Sequence, residues 1–225
     1  MNEDGTIMQP LASPMNANPR FMEAFLHCCH RRRYPARSHI IKPGDPGDTL
    51  YHIIEGSVTV SLQEKDGREL ILDYLNRGEF IGEIGVFMGA NVRTVTVRTR
   101  EPCLLAEISY KRLEQYLENE LAPYAVDLLR ILGAQVSRRL LQTSRKAGHL
   151  AFLDVTGRIA RTLMDLCKEP DAMTHPDGMQ IRITRQELGR VVGCSREMAG
   201  RVLKILEAEG LIHAHGKTIV VYGMR

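Results

Sequence analysis

Alternation with period two dominates the first half of the chain and gives way to a helical period after about residue 122. In "SVTVSLQ", Val58, Val60 and Leu62 fall on one face and Ser57, Thr59 and Ser61 on the other; "VRTVTVRTR" repeats the pattern with Val95 and Val97. Glycines at 44, 47, 56, 67, 78, 82, 85 and 89 divide the stretch from Tyr34 to Ser109 into short runs. Alternating runs between glycine-rich turns predict a compact antiparallel barrel or roll. Asp66-Gly67 in "EKDG" supplies the positive φ angles that a tight hairpin connection needs.

Beyond it, apolar side chains recur at Ala125, Leu129, Leu132, Val136 and Leu140, predicting a helix from about Ala122 to Lys146. Alternate steps of four and three from Ala125 visit Leu129, Leu132, Val136, Arg139 and Thr143, a coiled-coil-like seam with two polar positions at its end. We read it as a homodimer seam; the other reading is a helix packed on its own barrel. A break around Gly148 separates this helix from "LAFLDVTGRIARTLMDLC", which opens a second, smaller domain. "EPDAMTHPDGM" reads as a loop of turn formers. Two helices follow, then "GLIHAH" and "KTIVVYG", short β runs joined across His215-Gly216. Helices closed by a β ribbon suggest a winged helix-turn-helix.

The two helices of that motif lie in "TRQELGRVVGCSREMAGRVLK". Thr184 and Glu187 form a T-x-x-E capping box, and the first helix stops at Gly193. Ser195 caps the second helix, with Glu197 at the positive end of its dipole. Ala199, Val202, Leu203 and Leu206 keep the i, i+3, i+4, i+7 rule and face the core. Arg196, Glu197, Gly200, Arg201 and Lys204 remain outside. Gly200 weakens a helix by about 0.5–1 kcal/mol relative to alanine, so its place on the exposed face suggests close approach by something else. Arginine can donate two bonds to guanine O6 and N7, and glutamate can accept from cytosine N4. A solvated basic face is the alternative for the same residues.

Net charge is only +3, but six Lys/Arg and two carboxylates lie between Met179 and Ile205, the footprint of a phosphate-backbone binder. Five cysteines, odd in number and without a CxxC pair, point to reduced thiols in a cytoplasmic protein without a zinc site. The first 22 residues read as a flexible tail, with neither a signal peptide nor a membrane span. The expected division is therefore a tail over 1–22, a β-roll over 23–118, a long helix and hinge over 119–152, and a winged helix over 153–225.

Three groups of residues carry a family resemblance: "TLYHIIEGSVTV", "YLNRGEFIGEIG" and "AEISYKRL" in the roll, "LAFLDVTGRIARTL" after the long helix, and "DAMTHPDGMQIRITRQELGRVVGCSRE" with "AHGKTIVVYG" at the end. Together they resemble the cyclic AMP receptor (CRP/FNR) family of bacterial transcription regulators, over nearly the whole chain from about residue 25. The resemblance implies an α+β chain: an N-terminal cyclic-nucleotide-binding β-roll, a long dimerisation helix and a C-terminal winged helix-turn-helix. It implies a homodimer that binds double-stranded DNA, is controlled by a cyclic nucleotide, and activates transcription through RNA polymerase. Arg196, Glu197 and Arg201 then look like base readers, with Arg185, Gln186, Ser195 and Lys204 as phosphate or supporting contacts. In "FIGEIGVFMGANVRTVTV", Gly82 would allow close backbone approach and Glu83 would accept from a ribose 2′-hydroxyl. Arg93 would neutralise the cyclic phosphate and Thr94 would donate to it. Arg139, Thr143 and Ser144 complete the ligand set. Two surfaces match polymerase contacts: Ala172, Thr174, His175 and Gly178 on a loop, and the basic group His30, Arg32 and Arg112.

Asp73 departs from the pattern, standing where the family has a small hydroxyl residue. A carboxylate there should weaken an anionic ligand unless it turns to a cation or to solvent. With "HRRRYPARS", "PGDPGDTLY" and "SREMAGRVLK", it draws the chain toward Crp-like regulators of plant-associated bacteria. In that branch cyclic di-GMP can act as the ligand and the ligand-free protein can already bind DNA. Two readings therefore stay open: control by cyclic AMP, or DNA binding without it and inhibition by cyclic di-GMP. No FNR-type cysteine spacing surrounds Cys28 and Cys29, which argues against an iron–sulfur cluster. A phosphodiesterase built on the roll is the rival from another class, but His39 and His52 are isolated and no HxxxH pair is present. A nucleotide sensor acting only through protein partners is the third reading.

Overall fold

The computed structural model describes residues 18–89, 92–169 and 172–223. The expected tail lies outside the described residues up to residue 17, but its end is not tail. Helix α1 (Pro19–Cys28) starts there: the Asn18 side chain accepts from the Arg20 N–H, and Pro19 takes a position that needs no donor. Phe21 and Phe25, one turn apart, are fully buried. Two phenylalanines in register outweigh the polar composition around them.

Two compact units divide the chain, one made of residues up to Leu62 with 73–143, the other of residues 63–72 with 144–225. The first holds most of an antiparallel roll: β1 (His30–Tyr34), β2 (His39–Ile41), β3 (Thr49–Glu55), β4 (Val58–Gln63), β5 (Glu69–Leu75), β6 (Phe80–Ile81), β7 (Thr96–Thr99) and β8 (Cys103–Ser109). They form two four-stranded sheets, ordered β1-β8-β3-β6 and β2-β7-β4-β5. Ile41, Ile53, Val58, Leu75, Val97 and Leu105 form the core of the roll. The connection from β4 to β5 runs over residues 64–68 with Gly67 at φ +83°, while Asp66 does not take the positive φ expected of a tight Asp-Gly turn. Short helix α2 (Glu83–Met88) follows β6, and α3 (Tyr110–Leu117) follows β8.

A second cluster joins α1 and α3 to the long helix α4 (Ala125–Phe152): Phe21, Phe25, Leu50, Phe80, Leu113, Leu128, Ile131 and Leu132. This corrects the seam. Leu132 is fully buried in its own unit and Arg139 turns toward the roll, whereas Val126, Leu129 and Leu140 are exposed. The apolar spacing served two faces, and only one is free. The helix also runs through Gly148 to Phe152. The break falls instead at Asp154, whose carboxylate accepts from the Gly157 N–H and caps α5 (Val155–Leu166). One internal glycine costs about 1 kcal/mol, too little to end a helix with good partners on both sides.

His52 sits within this second cluster, 5% exposed, with Phe80 4.7 Å and Phe25 6.2 Å away between ring centroids. Burial pushes its pKa down to about 4 from 6.5. The folded chain therefore binds fewer protons than the unfolded one between those values, and stability falls as pH drops through that window. The full loss is about 3 kcal/mol below pH 4. Urea unfolding at pH 7 and pH 4.5 reads it: His52→Leu should lose less stability between the two than wild type, and parallel losses would refute the assignment.

The second unit packs α5, α6 (Arg185–Val192) and α7 (Arg196–Ala208) on a sheet ordered β11-β12-β10-β9. Its strands are β9 (Met173–His175), β10 (Gly178–Arg182), β11 (Ile212–His215) and β12 (Thr218–Tyr222). Ile159, Leu163, Leu188, Val192, Leu203 and Leu206 fill its core. The segment read as a loop thus contains β9 and a hairpin turn into β10. Backbone pairing to β12, invisible to a local pattern, orders it. The terminal ribbon turns at Gly216, φ +60°.

Candidate functional site

The helical hairpin is built as its capping residues dictate. Thr184 Oγ1 accepts from the Glu187 N–H at 3.1 Å, Gly193 closes α6 in the left-handed region, and Ser195 Oγ accepts from the Met198 N–H at 3.1 Å. Ala199, Val202, Leu203 and Leu206 are buried, fixing the rotation of α7. Arg185, Gln186, Ser195, Arg196, Glu197, Arg201 and Lys204 are all exposed. Among the described residues no carboxylate comes within 4 Å of the Arg196, Arg201 or Lys204 nitrogens, although Glu197 lies in the field of both arginines. The Glu197 carboxyl is held below its usual range by its own backbone N–H, then by the Ser195 hydroxyl, with Arg196 and Arg201 adding to it. It remains an acceptor between two donors. A Cβ on Gly200 would lie 3.5 Å from Arg185 Cδ, an ordinary contact, so nothing within the chain forbids a side chain there.

Three supports escaped the sequence. Glu207 accepts from the Ala214 N–H at 3.0 Å and stands 3.1 Å from His213 Nδ1, tying the end of α7 to β11. Arg158 donates to the Val192 and Leu153 carbonyls. Arg190 pairs with Glu69 at 3.2 Å, which removes one of the six counted cations from the free set. The i, i+7 spacing from Glu207 to Ala214 carried no mark of a bond in the sequence.

In the roll, Gly82 takes φ +90° and begins α2. A Cβ there would fall 2.7 Å from the Thr49 carbonyl and 2.8 Å from Arg93 Nη1, so glycine is required. Arg93 is half-buried, donating to the Thr49 carbonyl and, at 3.2 Å, to the Tyr110 hydroxyl. That hydroxyl donates to the Gly82 carbonyl at 2.6 Å. Glu83, 1% exposed, pairs with Arg139, which also donates to the Phe80 carbonyl at 3.0 Å and stands 3.5 Å from Asp73. Asp73 has therefore turned to a cation. Burial, then Glu79, push its carboxyl up, while Arg139 pulls it down. Gln135, fully buried, clamps β6 by accepting from the Phe80 N–H and donating to the Phe80 carbonyl, both at 2.8 Å. Thr94, Thr143 and Ser144 are exposed, and none of them joins this cluster.

The two expected polymerase surfaces fare differently. His30 and Arg32 on β1 and Arg112 on α3 are exposed. Arg32 lies over the Tyr34 ring and Arg112 over Tyr116. On the other patch Thr174 is exposed and His175 faces Asp177 at 3.7 Å, but Ala172 packs against the core and Gly178 is buried. A Cβ on Gly178 would sit 2.0 Å from the Val221 carbonyl, so the close β10–β12 pairing requires glycine there. Among the described residues no group of three metal-ligating side chains forms, and no helix is long and apolar enough to cross a membrane.

Residues 31–120 match the cyclic nucleotide-binding domain family, and residues 157–224 match the Crp-like helix-turn-helix domain family. The chain is 58% identical over 204 residues to the CRP-like protein Clp of Xanthomonas euvesicatoria pv. vesicatoria, covering 91% of this chain and 89% of that one. Clp of Xanthomonas campestris pv. campestris matches equally. A solved structure described as the c-di-GMP responsive global regulator CLP from Xanthomonas campestris superposes with a TM-score of 0.88 at 57% identity, covering 92% of this chain and all of that one. A CRP/FNR-family regulator from Thermus thermophilus shares the fold at 24% identity and TM-score 0.71, over 87% and 94% of the two chains. With a cyclic nucleotide-binding roll, a Crp-like helix-turn-helix and this identity to Clp, the chain belongs to the CRP/FNR family of DNA-binding transcription regulators and is not an enzyme.

Proposed function

We propose that the chain is a homodimeric, sequence-specific DNA-binding regulator that engages duplex DNA without a bound nucleotide and is released from it by cyclic di-GMP. The observation that carries DNA reading is the exposed face of α7, where Arg196, Glu197 and Arg201 stand clear of the core on a helix rigidly capped by Ser195. Two copies, brought together along the exposed Val126, Leu129 and Leu140 of α4, would offer two such helices to major grooves about 34 Å apart. The basic face of His30, Arg32 and Arg112 suits an acidic surface of RNA polymerase.

Two features favour the cyclic di-GMP reading over cyclic AMP. The nucleotide cassette is already satisfied internally, by Arg139 on Glu83 and by Arg93 on Thr49 and Tyr110. The second unit, in turn, has an open cavity of about 570 Å³ lined by Arg145, His149, Phe152, Arg161 and Met164. Its Phe152 is 88% exposed. Guanidinium groups for phosphates beside an aromatic face for a purine are what a cyclic dinucleotide needs. The CLP structure's description as c-di-GMP responsive points the same way.

Fluorescence anisotropy on a duplex selected by the protein from a random pool tests the reading. Ligand-free protein should bind, with affinity falling steeply as salt rises because cations contact phosphates. Cyclic di-GMP should weaken binding and cyclic AMP should not. Binding that appears only with cyclic AMP would overturn the ligand assignment, and no retention of DNA at low salt would overturn the DNA reading in favour of a protein-only sensor.

A further inference from the structure

The turn between α6 and α7 is gripped within the second unit by neighbours from α4, α5 and β5. It is tight in itself: the N–H groups of Gly193 and Cys194 both donate to the Gly189 carbonyl, at 2.8 and 2.9 Å. A Cβ on Gly189 would fall 2.7 Å from the Cys194 carbonyl. At Gly193 a Cβ would lie 3.6 Å from Leu70 Cδ1 and 3.9 Å from Leu150 Cδ2, at ordinary contact. Leu70 thus covers the turn, although it belongs to β5. Its neighbour Glu69 pairs at 3.2 Å with Arg190, in the last turn of α6. From α5, Arg158 donates to the Val192 carbonyl at 3.3 Å. Lys146, on α4, donates to the Ile71 carbonyl at 2.6 Å and to the Leu72 carbonyl at 3.4 Å. β5 ends its sheet, and an edge strand leaves backbone acceptors for a donor from outside. Glu69 to Leu72 are accordingly grouped with 144–225, while the rest of the same strand is not.

We propose that the start of β5 is a clip on the helical hairpin: fastened by Lys146, Glu69 and Leu70 hold the α6–α7 turn, and with it the angle at which α7 is presented. The proposal deepens the reading of α7 as the helix that enters DNA, and rests on it. Ala199, Val202, Leu203 and Leu206 set the rotation of α7 about its own axis, whereas its tilt against α6 is decided at the turn. Bonds to base edges tolerate little misalignment, so a changed tilt loses base contacts first and phosphate contacts last. Glu69, Leu70 and Lys146 are positioning residues, and none is among the side chains assigned to bases or phosphates. The half-exposed Glu69–Arg190 pair adds little to folding stability, so the clip tunes the reader without holding the fold together.

Anisotropy titrations of the full chain on the selected and a random duplex, beside hydrogen exchange, decide it. Lys146→Met removes the donor and should lower the preference for the selected duplex about three- to tenfold, the worth of one lost hydrogen bond. Charge alone predicts something else: a lost phosphate contact weakens both duplexes equally and lowers the salt slope by about one. Lys146→Arg, which keeps donors and charge, should match wild type. Glu69→Gln should lower the preference about two- to fivefold. Exchanging the pair, Glu69→Arg with Arg190→Glu, should recover it at the same net charge. In Lys146→Met and Glu69→Gln the amides of Gly193 and Cys194 should exchange faster while urea midpoints stay at the wild-type value, which a merely structural role would not predict. Unchanged preference with unchanged exchange at the turn, or equal loss on both duplexes with a reduced salt slope, overturns the proposal. If wild type retains no DNA while the turn amides of the variants still exchange faster, the DNA reading fails and the clip stands.

Discussion

Arg196→Ala is expected to erase most of the preference for the selected duplex while leaving affinity for random duplex within a few-fold of wild type. Bidentate donation to one guanine is worth about 1–3 kcal/mol, roughly 5- to 150-fold in the specific dissociation constant. Non-specific binding rests on the phosphates, which see only the summed positive charge of α6 and α7. Arg196 is exposed in the first turn of α7, next to Glu197, whose carboxylate stays ionised under the influence of Ser195 and both arginines. Lys204, two turns further along, is the contrast: Lys204→Ala should weaken every duplex about equally and lower the salt slope by about one. Anisotropy titrations of both variants on selected and random duplexes, across a salt series, separate the two roles. Equal loss on both duplexes for Arg196→Ala would remove it from base reading.

The largest effect on stability is expected at Gln135. Its amide is fully buried and makes both hydrogen bonds to the backbone of Phe80. In Gln135→Ala the Phe80 N–H is orphaned inside the core, at a cost of about 1–3 kcal/mol. The lost packing volume adds to this, for a total of about 2–5 kcal/mol. The Phe80 carbonyl keeps Arg139, so the N–H is the group that suffers. Gln135→Met, which restores volume and no donor or acceptor, should recover only the packing part. Urea midpoints at pH 7 for the three proteins measure the division, and an unchanged midpoint for Gln135→Ala would dismiss the clamp.

Why one site was legible and the other half-hidden follows from the range of the interactions. Thr184, Gly193 and Ser195 act on backbone groups three or four residues away, so their roles can be read along the chain, and the rotation of α7 follows from Ala199, Val202, Leu203 and Leu206. The cassette is held by long-range pairs: Arg139 with Glu83, Asp73 beside them, Gln135 on Phe80. No local pattern marks a glutamine as the anchor of a strand far away in sequence. Its position did carry a signal, since Leu128, Ile131, Leu132 and Gln135 share one helix face, but a polar letter on an apolar stripe reads as an interruption. The expected homodimer seam was blurred for the same reason. One helix carries two apolar stripes, and spacing alone mixed Leu132, which belongs to the roll, with Leu129, which does not. Gly178 looked like part of a loop until β12 was seen beside it.

The ten residues at 63–72 are grouped with 144–225 and not with their neighbours in sequence, and Glu69 supplies the carboxylate for Arg190 on α6. Cutting the chain before Ser144 to obtain a minimal DNA-reading piece would keep every side chain of α7 and discard that carboxylate. Such a truncated piece would have one more uncompensated cation beside its reading helix, and would grip unrelated duplexes more firmly than the parent does. Discrimination is then expected to depend partly on Glu69, at the start of β5 and outside the helical hairpin.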